Sequence, residues 1–150
     1  MNKSNESNIS DVGENYHIDT DTGFGHLLTG VKLASLSNPR VLIVNPSIDY
    51  LKGEFIELSK NCNVVVAHHE LTNFDVEHNF SFYKDTLPSL DIITKLEISF
   101  DFIFICNTEE LITEHQIPRS FRKISNLLKP NGKVLFISNT LLYQDYVENQ

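Results

Sequence analysis

Apolar side chains along this chain fall into two rhythms: short unbroken runs, and stripes spaced by three and four. Val41 to Val44 is an unbroken run bounded by polar residues, the mark of a strand buried on both faces. Leu51, Phe55 and Leu58 follow at i, i+4 and i+7, one apolar helix stripe. Asn61 to Asn63 reads as a turn, Val64 to Ala67 as a second buried strand and Phe80 to Tyr83 as a weaker third. Leu87 to Leu96 reads as a helix starting near Pro88. Phe100 to Cys106 is the strongest strand pattern in the chain. Ile117, Phe121, Ile124 and Leu128 predict a further helix, and Lys133 to Ile137 a last strand. Upstream, His26 to Leu36 has mixed helical spacing and is broken by Asn38-Pro39. Residues 1–22 hold few apolar side chains, which predicts a flexible N-terminal arm before a single domain at 23–150.

Alternating strands and helices imply parallel strands joined by right-handed crossovers. The expected fold is α/β: a three-layer α/β/α sandwich with a mainly parallel sheet in the order 3-2-1-4-5. The ligand crevice then lies at the carboxyl ends of strands 1 and 4, where the order reverses.

Charge narrows the range of functions. The chain has 150 residues, is 41% hydrophobic and carries a formal charge of −8. That balance argues against a nucleic-acid partner, since a polyanion is repelled over most of the surface. The distribution is uneven: residues 1–30 carry Glu6, Asp11, Glu14, Asp19 and Asp21 against Lys3. Residues 115–144 carry Arg119, Arg122, Lys123, Lys129 and Lys133 and no acid. A solvated helix face with cations near a helix C-terminus accounts for that block; a docking surface for an acidic partner is the sharper reading. Cys62 and Cys106 are far apart and form no CxxC, so neither a disulfide scaffold nor a zinc site is expected. His68, His69, Glu70 and His78 match no compact zinc spacing, and no metal is expected. No signal peptide and no membrane span is expected, which leaves a cytoplasmic protein.

Three segments carry a family resemblance: RVLIVNPS, FDFIFICNTEELI and FRKISNLLKPNGKVLFIS. Together they resemble strand 1 with its loop, strand 4 with the helix after it, and helix-turn-strand 5 of class I S-adenosylmethionine (SAM)-dependent methyltransferases. The likeness runs from about Asn38 to Asn139. In the last segment the helix is expected to end at Lys129, Pro130 to stop it, and Asn131-Gly132 to make a tight turn into the strand. The resemblance implies cofactor contacts at Asn45, Ser47, His68, Asp85 and Asn107. It also exposes losses. The glycine-rich cofactor loop is missing, Ile43 stands at the acidic position of strand 1, and His68 stands at the ribose-binding acid of strand 2. Asp85 matches the acid near the adenine amino group. Glu70 substitutes for the ribose acid only if its loop folds back. Thr108, with Glu109 and Glu110 behind it, reads as a helix cap, which explains the segment after Asn107 without chemistry. No catalytic residue is nominated.

The chain is also short for the resemblance, since the family adds two strands after the fifth. Strand 5 is thus expected to be an exposed apolar edge, covered by Leu141, Tyr143 and Tyr146 of the tail or by another chain. These features point to a degenerate methyltransferase-like protein with no cofactor of its own. It is expected to act as a non-catalytic subunit in a homo- or hetero-oligomer, with a catalytic methyltransferase subunit as the implied partner. An active small-molecule methyltransferase that retains SAM through an atypical loop is the first alternative. A receiver-like signalling module is the second, although Asn45-Pro46 replaces the paired acids of that family.

Overall fold

The computed structural model describes residues 9–11, 16–19, 38–46, 56, 59–60, 62–70, 80–106 and 113–137. These form strands β1 (Ile9–Asp11), β2 (Tyr16–Asp19), β3 (Arg40–Val44), β4 (Asn63–His68), β5 (Phe80–Lys84), β6 (Phe100–Cys106) and β7 (Leu128–Ile137). Helices α1 (Asp91–Lys95) and α2 (Ile117–Leu127) accompany them among the described residues. The strands make one sheet in the order β1-β2-β7-β6-β3-β4-β5.

From β5 across to β7, every neighbouring pair is parallel. Counted from β3 as the first, these five strands stand in the order 3-2-1-4-5, the expected α/β arrangement. It differs from the 2-1-3-4-5 order of receiver domains. The unbroken apolar runs explain the central position of β3 and β6. Every residue of β6 is buried, and so is every residue of β3 after Arg40. Alternation deals these side chains to two cores. Leu42, Val44, Ala67, Ile103, Ile105 and Val134 meet α1 and α2 on one face through Ile93, Phe121, Ile124 and Leu127. Val41, Ile43, Val64, Val66, Phe102, Phe104 and Leu135 form the second core on the other face, joined by Phe80 and Phe82 from β5.

Four expectations need correction. The outer edge of β7 is not open: β2 pairs with it in parallel, matching Tyr16, His17 and Ile18 to Val134, Leu135 and Phe136. β1 adds antiparallel to β2. Two strands therefore lie within the segment expected to be a flexible arm, because an apolar edge with open amides is a template for any nearby extended segment. The tail residues expected to cover that edge, like the helix expected at His26 to Leu36 and Thr108 as a cap, lie outside the described residues.

The helix expected over Leu87 to Leu96 is only Asp91–Lys95. Leu90 takes a left-handed backbone (φ 43°), which interrupts any helical path from Pro88. Glu97 does the same after the helix (φ 56°). The buried Leu90 side chain holds the strained residue in the first core.

Helix α2 stops at Leu127, two residues before the expected end, because Leu128 already lies opposite Phe100 in the sheet. Finally, Pro130-Asn131-Gly132 is not a tight turn ahead of the strand. Lys133 pairs with Phe102, so five residues of β7 advance against two of β6, and the three extra residues bulge outward. The same irregularity turns Phe100 toward the first core while Phe102 faces the second.

Candidate functional site

The strand order reverses between β3 and β6, so the crevice to inspect lies at the carboxyl ends of β3, β4, β5 and β6. Asn45 follows β3 and turns the chain with a left-handed backbone (φ 54°). Asparagine is, after glycine, among the residues that tolerate this region best. Its N–H donates to the Ala67 carbonyl at 2.7 Å, fastening the end of β3 to the end of β4. Its side chain is buried and lies 2.8 Å from His69 Nδ1 through Oδ1.

His68, the last residue of β4, is buried. Its Nδ1 accepts the Glu70 N–H at 3.0 Å, so that nitrogen carries no proton and the ring is neutral. Burial lowers its pKa first, the neighbouring His69 acts in the same direction, and Glu70 opposes both. The two histidine rings stack, with centroids 4.8 Å apart and planes 17° from parallel. His69 Nε2 lies 3.1 Å from Glu70 Oε1. An amide oxygen and a carboxylate are both pure acceptors, so each nitrogen of His69 faces an acceptor. A neutral His69 keeps both bonds if the Asn45 amide turns and donates from Nδ2.

Asp85 stands just beyond β5, and its N–H donates to the His68 carbonyl at 3.0 Å. Both oxygens of its carboxylate accept backbone amides. Oδ1 accepts the Thr86 N–H at 3.0 Å and Oδ2 accepts the Ile93 N–H at 2.9 Å. Asp85 thereby caps α1 from outside the helix, taking the place of a side-chain cap that Leu90 cannot supply.

Of the five residues proposed for cofactor binding, the structure brings Asn45, His68 and Asp85 to one end of the sheet. Ser47 and Asn107 lie outside the described residues. Sequence reasoning missed the partner that matters most to Asn45. His69 sits one residue past the strand, where alternation no longer predicts the direction of a side chain, so only its polar character marked it. Glu70 does fold back, but toward His69.

Among the described residues, other chemistry at this end is limited. Cys106 ends β6 fully buried, and burial pushes its thiol far above the usual range, so it stays protonated and inert. Among the described residues, no group of three or more His, Cys, Asp or Glu is placed to hold a metal ion. No described helix is long and apolar enough to cross a membrane.

Two open grooves lie at the opposite, amino end. One is lined by Asp101, Phe102 and the bulge from Lys129 to Lys133. The other is lined by Arg40, Asn63, Val65, Ser81, Tyr83, Leu96 and Ile98. The polar group between them is structural. The buried Asp101 carboxylate accepts the Arg40 N–H at 2.9 Å and the Lys129 ammonium at 3.2 Å, joining the starts of β3, β6 and β7. No protein-family model matches the chain, and no curated protein matches it.

Proposed function

We propose that this chain is a degenerate methyltransferase-like protein that does not bind SAM on its own. In this reading it serves as a non-catalytic subunit beside another protein, with a catalytic methyltransferase as the partner class. One observation carries the reading: among the described residues, the polar groups at the crevice are already bonded within the protein. Asn45 faces His69, His69 faces Glu70, His68 takes the Glu70 amide, and both oxygens of Asp85 take backbone amides. A cofactor entering here would compete with these bonds for the same groups. The covered edge of β7 withdraws one reason for expecting a partner. The lost glycines and the lost strand-2 acid remain.

An active enzyme with an atypical cofactor loop has one observation in its favour. Asn45 adopts the left-handed backbone that a glycine would otherwise supply at the end of the first parallel strand. Calorimetry of the full chain with SAM and with S-adenosylhomocysteine separates the two readings. The expected result is no binding heat up to millimolar ligand. Saturable binding in the micromolar range overturns the proposal and supports the enzyme.

A further inference from the structure

We propose that the outward face of α2 is a docking surface for an acidic patch on a partner protein. This rests on the reading above for the existence of a partner, and it specifies that partner's chemistry. Arg119, Arg122 and Lys123 stand at i, i+3 and i+4, with Asn126 at i+7, so they share one stripe of the helix. Arg119, Arg122 and Asn126 are exposed and Lys123 is half-buried. The opposite stripe, Ile117, Phe121, Ile124 and Leu127, is buried against the sheet.

Nothing in the helix itself favours this arrangement. Like charges three and four residues apart repel each other. Arg119 is the third residue of α2 and stands at the positive end of its dipole, where a cation is unfavourable. The first turn has no acid and the last turn has no base, so the block does not offset the dipole at the helix C-terminus. Glu114, in the turn that leads into α2, is the nearest acid in sequence, and His115 to Ile137 contains none. A local arrangement that helix physics disfavours is one a protein retains for a surface role.

The contrast with the rest of the molecule specifies the partner. The net charge is −8 and residues 115–144 contribute +5, so the remainder carries −13. A long polyanion laid on α2 meets that remainder and is repelled. A compact acidic patch on a folded protein does not. The stripe from Arg119 to Asn126 is about 10 Å long at the rise of an α-helix, room for a few carboxylates. Two of its three cations are arginines, whose planar forks pair with carboxylates two bonds at a time.

The test uses the full chain and a fluorescent peptide carrying three adjacent glutamates, short enough to stay on the stripe, followed by anisotropy at low and at physiological salt. An oligothymidine of equal charge and anionic vesicles serve as the other two probes. Wild type is expected to bind the peptide more tightly than either alternative. The triple variant R119E/R122E/K123E is expected to bind it at least about tenfold more weakly. Equal binding by wild type and variant overturns the proposal, as does tighter binding of the oligonucleotide or the vesicles. Thermal unfolding gives the second readout. The neutral variant R119Q/R122Q/K123Q is expected to match or exceed wild type in Tm, because it removes the repulsion among the three cations. A fall of several degrees means that the cations serve the fold, and overturns the docking role. The outcome is separable from the cofactor question: SAM binding would overturn the proposed function without changing how this face treats an acidic probe.

Discussion

His68 shows how one position trades chemistry for structure. Its Nδ1 accepts the Glu70 amide, an acceptor that protonation removes. Burial, and then the neighbouring His69, depress its pKa below the ordinary histidine value of about 6.5. Between the depressed and the ordinary value, the unfolded chain binds more protons than the folded one. The stability from this residue is therefore complete above about pH 6.5 and is lost as pH falls through the folded pKa. Urea midpoints measured from pH 7.5 down to 5 should fall for wild type. They should fall less for His68→Asn, whose amide oxygen accepts at a similar place without titrating. Parallel curves would show that His68 does not contribute this dependence. The position was legible in the sequence as a polar strand end. Its role was not, because the acceptor comes from the chain folding back at Glu70.

Among the elements, α1 and β7 depend on single residues remote from their own regular turns or pairs. Helix α1 has five residues, too few to be stable from propensity alone, and Asp85 caps it from eight positions before Ile93. Asp85→Ala leaves two backbone amides without their partner. It should cost about 1–2 kcal/mol in a denaturant titration, with little change in slope. An unchanged midpoint would mean that water replaces the carboxylate at no cost.

In β7, Gly132 lies where the bulge closes on α2's end. A Cβ there would meet Leu128 Cδ1 at 2.5 Å, Leu128 Cγ at 2.7 Å and the Asp101 carbonyl at 3.1 Å. Leu128 is the residue that pairs with Phe100 at the start of the strand. Gly132→Ala therefore forces that side chain to move and should cost about 1–3 kcal/mol, read as a lowered Tm. The Pro-Asn-Gly string announced a turn, but it did not announce a bulge. That outcome depends on β6 holding Leu128 and Lys133 in register on either side.

For the whole molecule, the main question is how the sheet ends. β2 contributes three paired residues to the edge of β7, and β1 three to β2. Two short strands of that kind are marginal alone and persist through the sheet they extend. β2 is flanked on both sides, so its N–H groups are used whichever neighbour they face. Ile18→Pro removes one of them and fixes its φ, and should detach β2. The uncovered edge of Val134 to Ile137 is then open to a second chain. Light scattering of this variant should show concentration-dependent self-association beyond that of wild type. Identical masses at every concentration would mean that β2 does not guard the edge.

The central parallel sheet was readable in the sequence, because unbroken apolar runs and stripes at three and four are local consequences of burial on two faces or on one. Val41 to Val44, Phe100 to Cys106 and the α2 stripe fell close to their observed ends for that reason. The basic stripe was readable as composition, and its placement against the dipole emerged once the start of α2 was known. Three features depend on segments distant in sequence and left no local signal. β2 meets β7 across more than a hundred residues. Asp101 ties together the starts of β3, β6 and β7. Asn45 meets His69 because the ends of β3 and β4 are adjacent in the sheet. Side-chain patterning records what each segment buries, whereas these contacts depend on which segments become neighbours, and packing settles that.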